Sequence, residues 1–261
     1  MPEPVVLVLP ARDEEPTVAA VAARAPSRVG EHPVRVLVVD DGSTDATARR
    51  ALAAGAEVVP CLPPGGLGAA VRVGLRAAVA RGAAAVAFCD ADGEYDPAEL
   101  VRLVGPILTG EVDYVVGARL LARSDMLPHR RVGNRLLTAW FRRVVDVPVT
   151  DAQTGFRALS RRAAAAAEIA HDYNYAQVLT LEMVRKGFGY AEVPVSYRRR
   201  RHGRSFVRLA TYLRHVVPAV HRLDRRLRAR APVAADPQSS TTCVRNRARA
   251  RAHSTESTVP S

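Results

Sequence analysis

The chain has 261 residues, 48% of them hydrophobic, and a formal net charge of +12. A chain of this size can bury a substantial core as one large domain, or as one domain with appendages. Its three widely separated cysteines fit neither a disulfide framework nor a zinc cluster, and no window reaches the ~18 apolar residues of a membrane-spanning helix.

The positive charge is carried almost wholly by arginine and is concentrated at residues 197–205 and after residue 221. Such a basic surface suits nucleic acid, an anionic membrane or a phosphorylated substrate. Nucleic acid is disfavoured, because the aromatic residues that would stack on bases make up only 5% of the chain. The sequence begins with a strand pattern and no basic leader. We therefore expect no signal peptide and a cytoplasmic protein, at most peripheral at the inner face of the cell membrane.

Short apolar runs alternate with helical patterns through the first half of the chain. Strands are predicted at residues 5–10, 34–40, 57–61, 84–89 and 114–117, and helices near 15–24, 45–54, 67–81 and 97–108. This alternation predicts an α/β fold with a mostly parallel central sheet flanked by helices. Ligands of such sheets bind beyond the carboxyl ends of the strands, which is where this sequence places its acidic loops.

The second half is less regular. It contains a basic helical stretch at 128–145, the motif VTDAQTGFRALS at 149–160, a helix near 175–186, a strand at 190–198 and an amphipathic segment at 205–227. Pro218 is expected to interrupt or kink that segment. The expected organisation is a folded domain at 1–204, an amphipathic helical segment at 205–230 and a disordered basic tail at 231–261.

Four acids alternate along the stretch CDADGEYDPAE, directly after an apolar strand. Asp96 is expected to cap a helix that starts at Pro97, with Glu99 completing a capping box. The other three, Asp90, Asp92 and Glu94, share one face of an extended segment. Like charges held that close favour a cation between them, and carboxylates at this spacing suit Mg²⁺ or Mn²⁺ with diphosphate oxygens completing the shell.

Two other strand ends carry polar residues toward the same edge of the sheet. At least one of Asp40 and Asp41 is expected to face the crevice, where a carboxylate accepts hydrogen bonds from a base or ribose. Pro10 would wall a nucleotide pocket there, and Glu14 would reach the ligand. The glycines at 65–68 form neither a dinucleotide-binding loop after the first strand nor a P-loop, which disfavours dehydrogenases and P-loop NTPases.

Taken together, these stretches resemble the family 2 glycosyltransferases of the GT-A fold, most closely the dolichyl- and polyprenyl-phosphate sugar synthases. The matching segments are LPARDEE, VVDDGSTDAT, GLGAAVRVGL, DADGEYDP, VVGAR, DAQTGFRAL, EVPVSYRRR and HGRS. They occur in the family's order over about residues 4–206. The resemblance implies a GT-A domain and transfer of a hexosyl group from a GDP- or UDP-sugar.

The resemblance also implies roles for individual residues. The nucleotide pocket would be lined by Pro10, Arg12, Glu14, Val39, Asp40 and Asp41, with Ala91 beside the diphosphate. The metal ligands would be Asp90, Asp92 and Glu94, although the related enzymes often have glutamine in place of Glu94. Phosphates would meet Arg119 and Arg131, with Arg201 or Arg204 replacing a lysine that many members carry where this chain has Phe206.

Asp151 matches an acidic residue that lies near the reaction centre in related enzymes. Asp92, Asp151 and Arg119 are therefore the expected catalytic residues. An acceptor hydroxyl would need Asp151 as a base, whereas a phosphate acceptor is already nucleophilic and needs arginines more. A structural role for Asp151, capping a turn, fits the sequence equally well.

The expected acceptor is a polyprenyl phosphate, and the alternative is a soluble or cell-envelope acceptor. The apolar stripe at 206–220 either packs against the sheet or lies on a membrane and brings the basic run to a lipid-linked phosphate. A nucleotidyltransferase would share the acidic metal site, but LPARDEE lacks the glycine- and lysine-rich signature of that class. The sequence does not indicate an oligomeric state.

Overall fold

The computed structural model describes residues 2–121, 125–170, 172, 175–200 and 209–230. The strands are β1 (Val5–Ala11), β2 (Arg28–Val29), β3 (His32–Asp40), β4 (Glu57–Pro60), β5 (Ala85–Phe88), β6 (Tyr114–Ala118), β7 (Arg157–Ser160) and β8 (Tyr190–Pro194). The helices are α1 (Val18–Ala23), α2 (Thr47–Ala53), α3 (Leu67–Ala80), α4 (Leu100–Leu108), α5 (Pro128–Val145), α6 (Arg161–Ala166), α7 (Ala176–Arg185) and α8 (Leu209–Arg230). Short 3₁₀ helices occupy Pro97–Glu99 and Arg119–Leu121.

The strands form one mixed sheet in the order β2-β3-β1-β5-β7-β6-β8, and β4 also pairs with β3. β1 runs parallel to both β3 and β5, whereas β7 lies antiparallel between β5 and β6. The predicted α/β fold with a mostly parallel sheet is confirmed. Every strand and helix expected in the first half is present, with ends that differ by up to three residues.

The sheet is covered on both faces, which explains why its central strand is apolar throughout. All seven residues of β1 are buried, and their side chains alternate between two core clusters. Leu7 and Leu9 belong to the cluster that includes residues of α1 and α4, whereas Val8 packs under α3. Helix α3 lies so close that a Cβ at Gly74 would come within 2.3 Å of Val8. A strand buried on both faces needs this continuous apolar run.

Helix α8 packs on α5 and α7 at one end of the sheet. It continues through Pro218, so the interruption expected there does not occur. Val216 and Val220 are fully buried, and with Leu223 they join Phe141 in a third core cluster. This part of the apolar stripe therefore packs on protein. Phe206 and the tail at 231–261 lie outside the described residues, and no helix in the described part of the chain is long and apolar enough to span a bilayer.

Candidate active site

Three carboxylates converge where the chain leaves β5. One oxygen each from Asp90, Asp92 and Glu94 lies within 4.8 Å of the others, so the convergence predicted from the alternating acids is present. Asp96 points elsewhere: it accepts a hydrogen bond of 3.1 Å from the amide of Ala98, which confirms the predicted cap. The predicted capping box is wrong, because the Glu99 carboxylate instead accepts hydrogen bonds from Ser196.

The charge of this acidic cluster is only partly balanced. Burial raises the pKa of Asp92 to about 8, and repulsion from Asp90 and then Glu94 adds to the shift. Burial likewise raises the pKa of Asp90 to about 6, with Glu94 contributing. The opposing charge comes from Arg200, whose guanidinium lies 2.6 Å from Asp92 Oδ2 and 2.9 Å from Glu94 Oε1. The cluster therefore favours additional positive charge.

A second buried ion pair, between Arg119 and Asp151, lies beside the same cleft. The Arg119 guanidinium donates to both oxygens of Asp151, at 2.7 Å and 2.9 Å, and stacks 5.2 Å from the ring centre of Tyr197. Asn134 also donates to Asp151, at 3.0 Å. Burial alone would raise the pKa of Asp151, but Arg119 and these hydrogen bonds leave it below its ordinary value.

Arg119 reaches the cleft, whereas Asp151 lies behind it and is fully buried. Both oxygens of the carboxylate already accept hydrogen bonds. The geometry therefore favours the structural alternative for Asp151 over the role of a base. Its carboxylate accepts from the amide of Gln153, as a turn cap does, and it also orients Arg119. The base role predicted from the resemblance has no support in these contacts.

The carboxyl ends of β1 and β3 form the far wall. Asp41 is buried and accepts hydrogen bonds from the amides of Gly65 and Gly66, at 2.8 Å and 2.9 Å. It thereby holds the loop before α3 against the cleft. Asp40 turns away to accept from the amide of Ser43, and Val39 lies in the core beneath, so neither of these two expected pocket residues is on the wall.

Together these elements enclose a cleft of about 830 Å³. Of the expected site residues, its wall includes Pro10, Arg12, Glu14, Asp41, Asp90, Ala91, Asp92, Glu94 and Arg119. Arg131 is not on the wall, and Arg201 and Arg204 lie outside the described residues.

The wall also includes residues that the sequence reasoning missed. They are Tyr197 and Arg200 after β8, Gln153 and Gly155 before β7, and Met126, His129, Arg130 and Leu137 from α5 and the residues before it. Arg200 belongs to a run of four arginines at 198–201. Which of them faces the acids depends on where β8 ends, and the sequence did not predict that.

Gly155 is placed where no side chain fits. A Cβ there would lie 2.6 Å from Asp90 Oδ2 and 3.3 Å from the Tyr95 ring. Its amide donates to the Tyr95 hydroxyl at 2.7 Å. The TGF segment of the motif therefore packs directly beneath the acidic cluster.

Comparison with known proteins identifies the pattern. The family model described as glycosyl transferase family 2 matches residues 6–166. The chain is 31% identical to the polyprenol monophosphomannose synthase of Mycolicibacterium smegmatis over 65% of its own length and 69% of that protein. It is 30% identical to the glycosyltransferase AglJ of Haloferax volcanii over 75% of its own length. It spans 54%, 63% and 69% of the lengths of three curated relatives.

Solved structures share the fold. Glucosyl-3-phosphoglycerate synthase from Mycobacterium tuberculosis, bound to phosphoglyceric acid, superposes with a TM-score of 0.68 at 29% identity, over 85% of this chain and 80% of that one. The same enzyme has been crystallised with Mn²⁺, UDP-glucose and phosphoglyceric acid, and with Mg²⁺ and UDP.

Proposed function

Since this chain belongs to glycosyl transferase family 2 and has the GT-A fold, we propose that it transfers a hexosyl group from a nucleotide diphosphate sugar to a phosphate-bearing acceptor. The observation that carries the proposal is one cleft in which Asp90, Asp92 and Glu94 face Arg119 and Arg200. Carboxylates and arginines on one wall suit a diphosphate that binds through a divalent cation and through direct ion pairs.

The acidic cluster fits Mg²⁺ or Mn²⁺. Its three ligand atoms are carboxylate oxygens within 4.8 Å of one another, which is the hard donor set that these ions prefer. Relatives in this fold bind Mn²⁺ or Mg²⁺ together with UDP. A bound ion would act as a Lewis acid that neutralises charge on the departing diphosphate.

The protein's own residues would do the rest. Arg200 and Arg119 supply fixed positive charge, and Asp151 with Asn134 holds the Arg119 guanidinium in one orientation. Because these arginines are already in position, the protein would not have to reorganise to stabilise the negative charge that develops on the leaving group. The nucleoside would lie at the β1 and β3 ends, against Pro10, Arg12 and Asp41.

Two acceptors fit the basic side of the cleft, where His129 and Arg130 of α5 join Arg119. We propose a polyprenyl phosphate first, because curated relatives include polyprenol monophosphomannose synthase and undecaprenyl-phosphate mannosyltransferase. The second candidate is a small soluble phosphate, favoured by the structural likeness to glucosyl-3-phosphoglycerate synthase. Arginines would bind the phosphate of either acceptor. In a polyprenyl phosphate that phosphate is also the nucleophile, whereas a phosphoglycerate-like acceptor would react through its hydroxyl.

The test is Asp92→Asn, with Asp96→Asn as the matched control. Loss of a ligand and of its charge is expected to lower metal-dependent release of nucleoside diphosphate by at least about a hundredfold, the usual scale for an electrostatic contact of the transition state. The control removes an acid four residues away whose capping role asparagine can also fill.

Release is measured with UDP- and GDP-sugars, with Mn²⁺ or EDTA present, and with both acceptor classes supplied in turn. Melting temperatures establish that the variants are folded. Wild-type turnover by Asp92→Asn, or turnover by the wild type in EDTA, would contradict the metal assignment.

A further inference from the structure

Helix α5 presents two large apolar side chains to solvent. Val132 is 57% exposed and Leu136 is 68% exposed. They are four residues apart and therefore adjacent on one side of the helix, and the exposed Ala139 continues the stripe. Isolated exposed apolar residues are ordinary, but a stripe of three along one helix face calls for a partner.

On α5 itself the stripe is bordered by arginines, and Asp146, directly after the helix, pairs with Arg185 and Arg228. The exposed arginines of α5 are Arg130, Arg135, Arg142 and Arg143, and the helix contains no aspartate or glutamate between Pro128 and Val145. We call the surface formed by Val132, Arg135, Leu136, Ala139, Arg142 and Arg143 the outer face of α5.

The other faces of α5 contact the protein core or line the cleft. Thr138, Phe141 and Val145 are buried, the last two in the cluster shared with α7 and α8. Gly133 and Leu137 lie on the cleft wall. The outer face is therefore next to the cleft on the same helix, because Val132 directly precedes Gly133 and Leu136 directly precedes Leu137.

We propose that the outer face of α5 seats this protein on an anionic phospholipid surface. Leucine and valine side chains would enter the headgroup boundary while the arginines remain among lipid phosphates, as in other interfacial helices. A second copy of the chain is a poor occupant, because a two-fold contact would bring the same arginines against one another.

This inference rests on the proposed function, since a lipid-linked acceptor phosphate would then be presented beside Arg130 at the cleft. It also relocates the membrane contact expected from the sequence. That contact was placed on the segment after residue 204, but Val216 and Val220 of α8 are fully buried against protein.

The experiment is flotation with vesicles of equal parts phosphatidylglycerol and phosphatidylcholine, using the full chain without substrate. Val132→Asp with Leu136→Asp is expected to weaken the partition coefficient roughly tenfold or more, and added salt is expected to weaken wild-type binding. The matched control is Leu52→Asp with Val101→Asp, which makes the same two changes at residues 59% and 47% exposed on α2 and α4.

Four outcomes separate the possibilities. Loss of binding in the α5 variant alone supports the inference. The inference is overturned if the control variant loses as much vesicle binding as the α5 variant, or if both variants bind as well as the wild type. It is also overturned if the wild type does not bind the vesicles at low salt. A stabilising shift by Mn²⁺ with UDP or GDP, measured without vesicles, reports on the proposed function separately. The α5 variant is expected to keep that shift, because neither substituted residue lies on the cleft wall.

Discussion

Asp92 is the residue at which a proton would compete most directly with a bound metal ion. Burial and the neighbouring acids raise its pKa to about 8, so the metal-free cleft holds a proton near neutral pH. A divalent cation needs the ionised carboxylate and must displace that proton. Metal binding is therefore expected to tighten as the pH rises from 6 toward 8.

The measurement is the rise in melting temperature caused by a fixed concentration of Mn²⁺ at several pH values across that window. Below its raised pKa the Asp92 carboxyl is mostly neutral and binds a cation weakly. The rise in melting temperature caused by Mn²⁺ should therefore be smaller at pH 6 than at pH 8. Asp96, whose pKa is lowered by Arg24, is ionised throughout and cannot produce the trend. A rise that is constant over the window would contradict the assignment.

At the scale of elements, Arg157 joins β7 to its neighbours. It is fully buried and donates to Thr180 Oγ1 and the Ala176 carbonyl of α7, both at 2.7 Å, and to the carbonyl of Thr154 at 2.9 Å. It also donates to the hydroxyl of Tyr114 on β6. These contacts fix the loop before β7 that carries Gly155.

Arg157→Met is expected to lower the free energy of unfolding by at least about 3 kcal/mol, because several buried oxygen acceptors lose their donor at once. Arg162→Met is the control: that side chain is 74% exposed and pairs with Asp113 at the surface, so its loss should cost about 1 kcal/mol or less. Chemical denaturation measures both. A cost for Arg157→Met no greater than that of the control would show that the network does not stabilise the fold.

Strand β7 is an element that the sequence did not predict. The strands of the first half were predictable, because each is an apolar run followed by a turn. β7 was not, because it has four residues and begins with an arginine that is buried only by contacts made in the folded state. In the site, alternation of the acids gave Asp90, Asp92 and Glu94, whereas Arg200 depends on how far β8 extends into a run of identical residues. Val39 and Asp40 are not on the cleft wall, because Val39 packs in the core and the Asp40 carboxylate accepts a hydrogen bond from the amide of Ser43.

Across the whole molecule, the cleft is closed by contacts between distant parts of the chain. Arg200, after the last strand of the sheet, pairs with Asp92 and Glu94, which follow β5. The pairs therefore join the two halves of the chain at the candidate active site. They also place the Arg200 guanidinium beside the carboxylates that would bind a metal ion.

Arg200→Gln is accordingly expected to destabilise the protein more without metal than with it. In EDTA it removes the guanidinium that pairs with Asp92 and Glu94. The expected loss of about 2 kcal/mol corresponds to about 4 to 8 °C in Tm for a domain of this size. With saturating Mn²⁺ the ion balances the same carboxylates, so the difference in Tm between variant and wild type should shrink. Arg199→Gln, an exposed neighbour, is the control and should change Tm little in either condition. An equal deficit for Arg200→Gln in EDTA and in Mn²⁺ would mean that arginine and metal do not share the acidic cluster.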